Sequence, residues 1–108
     1  MCFVNCILLY LLFYVAKSTG IVSPIPSPRV FAAMVKQSDD IFMFGGTDGS
    51  QNFCDIWIFR CVSLRWERVV AVGSPASPRY GHKLIRIDKY RIAVLGGCGV
   101  CPFSEGLL

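Results

Sequence analysis

The sequence has few of the residues from which active sites are built. Its 108 residues include a single histidine, His82, and charged residues make up 17% of the chain. It has no Gly-x-Ser-x-Gly nucleophile motif, no glycine-rich phosphate loop and no paired carboxylates. Because catalysis needs several such groups acting together, we predict that the chain is not an enzyme and needs no cofactor.

The sequence also has few residues that could bind a metal ion. A zinc site needs four ligands, and the closely spaced pair Cys98 and Cys101 has no second pair or suitably spaced histidines to complete one. We therefore predict no metal site and interpret the pair as two small residues in a turn. Cys54 and Cys61 flank one predicted strand on opposite faces, too far apart for a disulfide. Isolated thiols favour a reducing compartment, so we expect a cytoplasmic protein.

The balance of apolar and charged residues predicts a folded chain without a nucleic-acid partner. Apolar residues make up 54%, which gives ample surface to offset the entropy of ordering. The net charge is +4, from 11 basic and 7 acidic residues, with a basic cluster between residues 79 and 91. On a strand from Lys83 to Asp88 these charges alternate between the two faces, so they do not form one binding surface.

Residues 1–20 form an apolar leader with three open interpretations. The run from Ile7 to Ala16 has the length of a signal-peptide core and is short for a bilayer span. Small residues allow cleavage after Ser18, but no basic residue precedes the run. The leader is a signal peptide or anchor (residues 1–18, giving a secreted or membrane-anchored protein), a misassigned gene start, or a strand-forming segment. Contact with a membrane is expected only in the first case.

One pattern occurs twice in the chain. The segment ending in Pro28-Arg29 recurs at Pro78-Arg79, 50 positions later, and Gly45-Gly46 recurs as Gly96-Gly97, 51 positions later. A fixed period of this length indicates a repeat architecture, in which function belongs to the assembled array.

The segments within each period read as short strands. In the first copy, apolar segments at 31–35, 41–44, 53–59 and 66–72 are separated by turn-forming segments at 37–40, 47–52 and 60–65. The cycle restarts with segments at 80–87 and 91–95. Four short antiparallel strands in about fifty residues, without helical periodicity, predict an all-β fold built from β-propeller blades.

From Ser27 to Gly99, about two-thirds of the chain, the sequence resembles kelch repeats. The resemblance implies kelch repeat 1 at residues 21–73 and a truncated repeat 2 at 74–108. Together they make about one and a half four-stranded antiparallel blades and an incomplete ring. In this family the double glycine ends the second strand and the late tryptophan packs into the core. The residues that match the motif are Arg29, Gly45, Gly46, Trp57, Phe59, Trp66, Gly81, Gly96 and Gly97.

Three positions depart from the family pattern. Phe59 stands where a tyrosine is usual and Arg60 where an acid is usual, and the first unit has Ala32 where the second has His82. The ring of Phe59 is kept, but the hydroxyl hydrogen bond is lost.

The resemblance implies a module that binds other proteins through loops at one end of the ring. The matching loops are residues 47–52 and 73–82, and the candidate partner-binding residues are Asp48, Gln51, Asn52, Arg79, Tyr80 and His82. The structural alternative is that Arg79 secures the start of a strand through backbone carbonyls and that His82 hydrogen-bonds within the blade.

Finer expectations follow from relatives within the family. The glycine-rich ends of the match look most like the F-box and kelch receptors that present substrates to ubiquitin ligases, so ligase subunits are candidate partners. An extracellular kelch module is the alternative if the leader is a signal. A fragment of a copper-oxidase-like propeller is a remote one, because copper needs converging imidazole and phenol ligands. Fewer than two blades leave apolar sides uncovered, so we expect a fragment or a chain that depends on partners.

Overall fold

The computed structural model describes residues 24–74 and 76–99, which form eight strands. Their order and bounds are β1 (Ala33–Gln37), β2 (Asp40–Phe44), β3 (Ile56–Arg60), β4 (Arg65–Val69), β5 (Arg79–Tyr80), β6 (Lys83–Arg86), β7 (Ile92–Leu95) and β8 (Cys98–Gly99). Every pair of neighbouring strands is antiparallel. The predicted all-β class with kelch-type blades is confirmed.

The first four strands make one sheet in chain order, β1-β2-β3-β4. The two-residue turn between β1 and β2 begins with Ser38 at φ 56°, the positive sign that short hairpin turns favour. Pairing places Ile41 opposite Phe59, and Phe59 opposite Trp66. Because directly opposed residues of paired strands point to the same face, these three side chains lie side by side on one face of the sheet.

That face carries the hydrophobic core. Ala32, Met43, Trp57, Phe59 and Trp66 are all buried there, with Met34 and Ile41 packed against them. The Trp66 ring meets Phe59 edge-on at 5.3 Å between centroids and Trp57 at 6.4 Å, the tilted geometry that aromatic pairs favour. Trp66 is therefore in the core, where the resemblance places it.

The second copy of the pattern forms a smaller assembly. Strands β6 and β7 make a two-stranded sheet, and β5 pairs with β8 in a separate short ladder. Residues of both larger sheets line an apolar cavity of about 300 Å³ between them. Among the described residues the second sheet stops at two strands, so the blades do not close a ring.

The structure corrects several predicted strand ends in the first unit. β1 begins at Ala33 instead of residue 31, because Phe31 has φ 59°. β3 begins at Ile56 instead of residue 53, because the Phe53 amide bonds to the carbonyl of Gly46. Arg60 and Arg65 are paired strand residues, so the turn between them is shorter than predicted. β4 ends at Val69, opposite the first residue of β3, because the residues that precede Ile56 are not in a strand.

In the second unit the predicted strand over residues 80–87 is interrupted. Gly81 has φ 70°, which separates β5 from β6. Cys98 was predicted to lie in a turn, but it pairs with Tyr80 in the β5–β8 ladder. Cys101 and the leader at 1–20 lie outside the described residues. Within residues 24–74 and 76–99 there is no helix with the length and apolar character needed to cross a membrane.

Candidate protein-binding groove

A buried ion pair joins the segment that precedes β1 to the loop that precedes β3 in the first unit. The guanidinium of Arg29 donates two hydrogen bonds to the Asp55 carboxylate, at 2.5 and 3.0 Å, and a third to the carbonyl of Gly45. The Arg29 side chain is 1% exposed and that of Asp55 13%. The guanidinium also stacks 4.0 Å from the centre of the Phe53 ring, a cation–π contact.

The same contacts hold the Asp55 carboxylate in its charged form. Burial by itself raises its pKa, but hydrogen bonds from Arg29 and from Trp57 Nε1, together with the charge of Arg29, lower the pKa below the ordinary 3.8. The pair therefore stays ionised at neutral pH and fixes the segment that precedes β1 against the loop that precedes β3.

Arg79 makes the matching contacts in the second unit. Its guanidinium donates to the carbonyls of Ser77 and Gly96, just as Arg29 donates to those of Ser27 and Gly45. In this arrangement the Arg79 side chain holds the start of β5 through backbone oxygens.

Backbone hydrogen bonds join the two units at the same place. The Arg79 carbonyl accepts from Gly46, the Arg79 amide donates to the Phe53 carbonyl, and the Gly81 amide donates to the Phe31 carbonyl. This close approach depends on Gly45: a Cβ there would lie 2.7 Å from the Arg79 carbonyl oxygen. The double glycine therefore lets the second unit pack directly on the end of β2.

His82 completes this junction. It is 5% exposed, and its Nε2 lies 2.7 Å from the carbonyl oxygen of Phe44, which can only accept, so Nε2 carries the proton. The Phe44 ring meets the imidazole edge-on at 5.2 Å. The prediction that His82 forms its hydrogen bond within its own blade is wrong, because the acceptor Phe44 belongs to the first sheet. The imidazole of His82 therefore lies between the two repeat units.

Acid is expected to weaken this junction through His82. Burial lowers its pKa below the ordinary 6.5, and the charge of Arg79 lowers it further, although the bond to Phe44 opposes the shift. A depressed pKa means that the unfolded chain binds the proton first. Stability is therefore full above about pH 6.5 and falls as the pH drops below it. We expect the melting temperature to fall between about pH 7.5 and about pH 5.5, and His82→Gln to flatten that dependence; an unchanged slope in this variant would place the titrating group elsewhere.

The loop between β2 and β3 forms one wall of the groove. Asp48 Oδ1 accepts hydrogen bonds from the amides of Ser50 and Gln51, both at 2.8 Å, and Thr47 Oγ1 donates to the Gln51 carbonyl. These backbone bonds lower the pKa of the exposed Asp48 carboxyl. The loop therefore presents a fixed, negatively charged side chain.

The opposite wall comes from the segments that precede β1 and β6. Together the walls enclose an open groove of about 900 Å³. Of the predicted partner-binding residues, Asp48, Asn52 and Tyr80 line it. Gln51 lies exposed in the same loop, whereas Arg79 and His82 are held in the junction beneath.

Sequence reasoning missed Phe31, which lines the groove beside Tyr80. Their ring centroids are 6.3 Å apart, and Phe31 is 41% exposed. The signal was present in the repeat. When Pro28-Arg29-Val30-Phe31 is aligned with Pro78-Arg79-Tyr80-Gly81, the phenylalanine falls at the position of the glycine.

The described part of the chain offers little metal chemistry. Within it, no group of three or more His, Cys, Asp or Glu side chains is placed to hold a metal ion. Cys54, Cys61 and Cys98 are free thiols.

Comparisons with known proteins agree with this architecture. Residues 11–106 match the family model described as the KLHDC2/KLHL20/DRC7 Kelch-repeats domain. The chain is 33% identical over 91 residues to the human "Rab9 effector protein with kelch motifs", covering 81% of this chain and 24% of that protein. It is 32% identical over 80 residues to the rice "tRNA wybutosine-synthesizing protein 2/3/4" (Oryza sativa subsp. japonica), covering 70% of this chain and 8% of that protein.

A third relative is the "Leucine-zipper-like transcriptional regulator 1 homolog" of Drosophila melanogaster, 35% identical over 52 residues, which cover 48% of this chain and 5% of that protein. The chain thus spans at most about a quarter of the length of these relatives. Kelch repeats are in general non-catalytic domains that bind other proteins. The blade, the double glycines and the family match together show that this chain belongs to the kelch-repeat proteins.

Proposed function

We propose that the chain is a non-catalytic protein-interaction module whose partner contacts the groove between the 47–52 loop and the segments that precede β1 and β6. One observation carries this proposal: three of the candidate residues that the kelch resemblance implies, Asp48, Asn52 and Tyr80, line one open groove. Arg29 of the buried ion pair is itself one of the residues that line the groove.

The groove has the composition of a protein-binding surface. Aromatic rings and a few fixed polar groups supply most of the energy at such surfaces, and both kinds are present. The loop itself keeps its shape through Asp48 and Thr47, so little entropy is lost when a partner binds.

The finer proposal is that the partner is a substrate of a ubiquitin ligase and that the chain acts as part of the ligase's substrate adaptor. Its support is the resemblance to F-box and kelch receptors. The name of the human relative, an effector of Rab9, supports a small GTPase as the second candidate partner.

A crosslinked pull-down from cells tests this choice. We expect the full chain to enrich ligase subunits together with a bound substrate protein, and Tyr80→Ala, which removes a ring from the groove, to reduce the recovery of that substrate. A variant at the exposed Val72, outside the groove, serves as the control. Recovery of a Rab-type GTPase without ligase subunits would contradict the adaptor role.

The proposed location is the cytoplasm. Its support is the set of free thiols, because Cys61 and Cys98 are exposed and would oxidise or pair in an oxidising compartment. N-terminal sequencing of the expressed protein tests it: a start at Thr19 would establish secretion and overturn the cytoplasmic location.

A further inference from the structure

Phe31 holds a backbone conformation that the sequence around it does not explain. Its φ is 59°, in the left-handed region that costs every residue with a Cβ free energy. The equivalent residue of the second unit, Gly81, has φ 70° and adopts this conformation without strain. The two units thus share the conformation, but only the second has the residue that suits it.

The fold does not require the phenyl ring at this position. What the junction uses is the Phe31 carbonyl, which accepts from the Gly81 amide at 3.0 Å and would do so equally from a glycine. The ring itself is 41% exposed and makes its aromatic contact with Tyr80, another residue of the groove. A strained backbone conformation whose side chain the fold does not require is typical of residues that serve binding.

The charged residues that line the groove indicate which kind of partner side chain the Phe31 ring contacts. The positive charge of Arg29 is neutralised by its bidentate contact with Asp55. Among the residues that line the groove, Asp48 is then the carboxylate whose charge is not balanced by an ion pair. A groove lined by two aromatic rings and a carboxylate suits a cation with an apolar stem, which both aromatic faces and carboxylates attract.

We propose that Phe31 is a specificity-determining residue of the groove and that, with Tyr80 and Asp48, it binds an arginine or lysine side chain on an extended segment of the partner protein. This inference rests on the proposed protein-binding function and adds the chemistry of the partner. The apolar stem of the basic residue lies against the rings while its cationic group approaches Asp48.

The test uses the full chain and a random dodecapeptide library displayed on phage. Peptides selected by the wild-type chain are synthesised, and their dissociation constants are measured for wild type and variants. We expect the selected peptides to share an arginine or lysine. Phe31→Gly should weaken their binding about tenfold or more, as loss of a central aromatic contact does. Asp48→Asn should weaken it about threefold, and added salt should remove that difference. Tyr90→Ala, which removes a more exposed ring outside the groove, should leave binding unchanged.

Melting temperatures separate a binding role for Phe31 from a structural one. Because glycine suits the left-handed conformation, Phe31→Gly should melt at the same temperature as wild type or higher. A clearly lower melting temperature would mean that the ring stabilises the fold, and would overturn the proposal. So would selected peptides that bind Phe31→Gly as tightly as wild type, or that share no basic residue, and either result would leave the protein-binding function standing. If the library yields no peptide whose binding Tyr80→Ala weakens, the groove itself is not a binding site, and both proposals fail.

Discussion

Replacing Gly45 by alanine is expected to lower the free energy of unfolding by about 3 kcal/mol, because the new methyl group has no space and the backbone is strained. Its Cβ would lie 2.7 Å from both the Arg79 carbonyl oxygen and His82 Cε1. The carbonyl cannot move without breaking its hydrogen bond to the Gly46 amide. Urea unfolding of the full chain measures the effect, and hydrogen exchange at Gly46 and Gly81 should show the junction opening.

Gly49 supplies a matched control. It also has a positive φ, 92°, but a Cβ there would meet nothing within 4 Å. Gly49→Ala should therefore cost only the backbone strain, about 1 kcal/mol. Equal losses in the two variants would mean that strain alone matters, and that the close approach of the second unit to Gly45 does not contribute.

The second large effect is expected at Asp55. Asp55→Asn keeps the shape of the side chain but removes the negative charge, which leaves the buried Arg29 guanidinium without its counter-charge. The amide has one oxygen: in the place of Oδ2 it can still accept from Arg29 Nη2 and Trp57 Nε1, but its NH2 group then faces Arg29 Nη1, another donor. Removing one partner of a buried ion pair costs about 3 kcal/mol or more, so we expect a loss of that size in urea unfolding.

Asp40 is the control for charge removal. It pairs with Arg60 on the surface, where the two side chains are 24% and 38% exposed. Solvent screens this pair, so Asp40→Asn should cost about 1 kcal/mol or less. If Asp55→Asn and Asp40→Asn lowered the free energy of unfolding by the same amount, the Arg29–Asp55 pair would not organise the base of the groove.

The architecture could be predicted from the sequence because the pattern of apolar runs and turn residues within each unit predicts its strands. Continuous apolar runs that end at Gly45 and Gly96 fix the second strand of each unit, and the spacing of the two copies fixes the repeat. The predicted strand ends were less accurate, since hydrophobicity continues past the last residue that has a partner. Val70 and Val72, for example, are apolar but unpaired and almost fully exposed.

The groove could be predicted only in part. Its loop residues Asp48 and Asn52 follow a recognisable motif, but the wall formed by Phe31 and Tyr80 requires two units to meet, and no pattern within one unit describes that contact. The hydrogen-bond acceptor of His82 could not be predicted for the same reason, because Phe44 lies in the neighbouring sheet. Contacts between units depend on packing that a single period of the sequence does not encode.

Site-specific photocrosslinking in cells tests most directly whether the groove binds protein. A photoreactive phenylalanine derivative is placed either at Asn52, in the groove, or at Val62, a more exposed residue in the β3–β4 turn at the other end of the sheet. We expect a discrete crosslinked protein from position 52 that is lost in the Tyr80→Ala background, and none from position 62. Adducts of the same protein from both positions, or from position 62 alone, would contradict it.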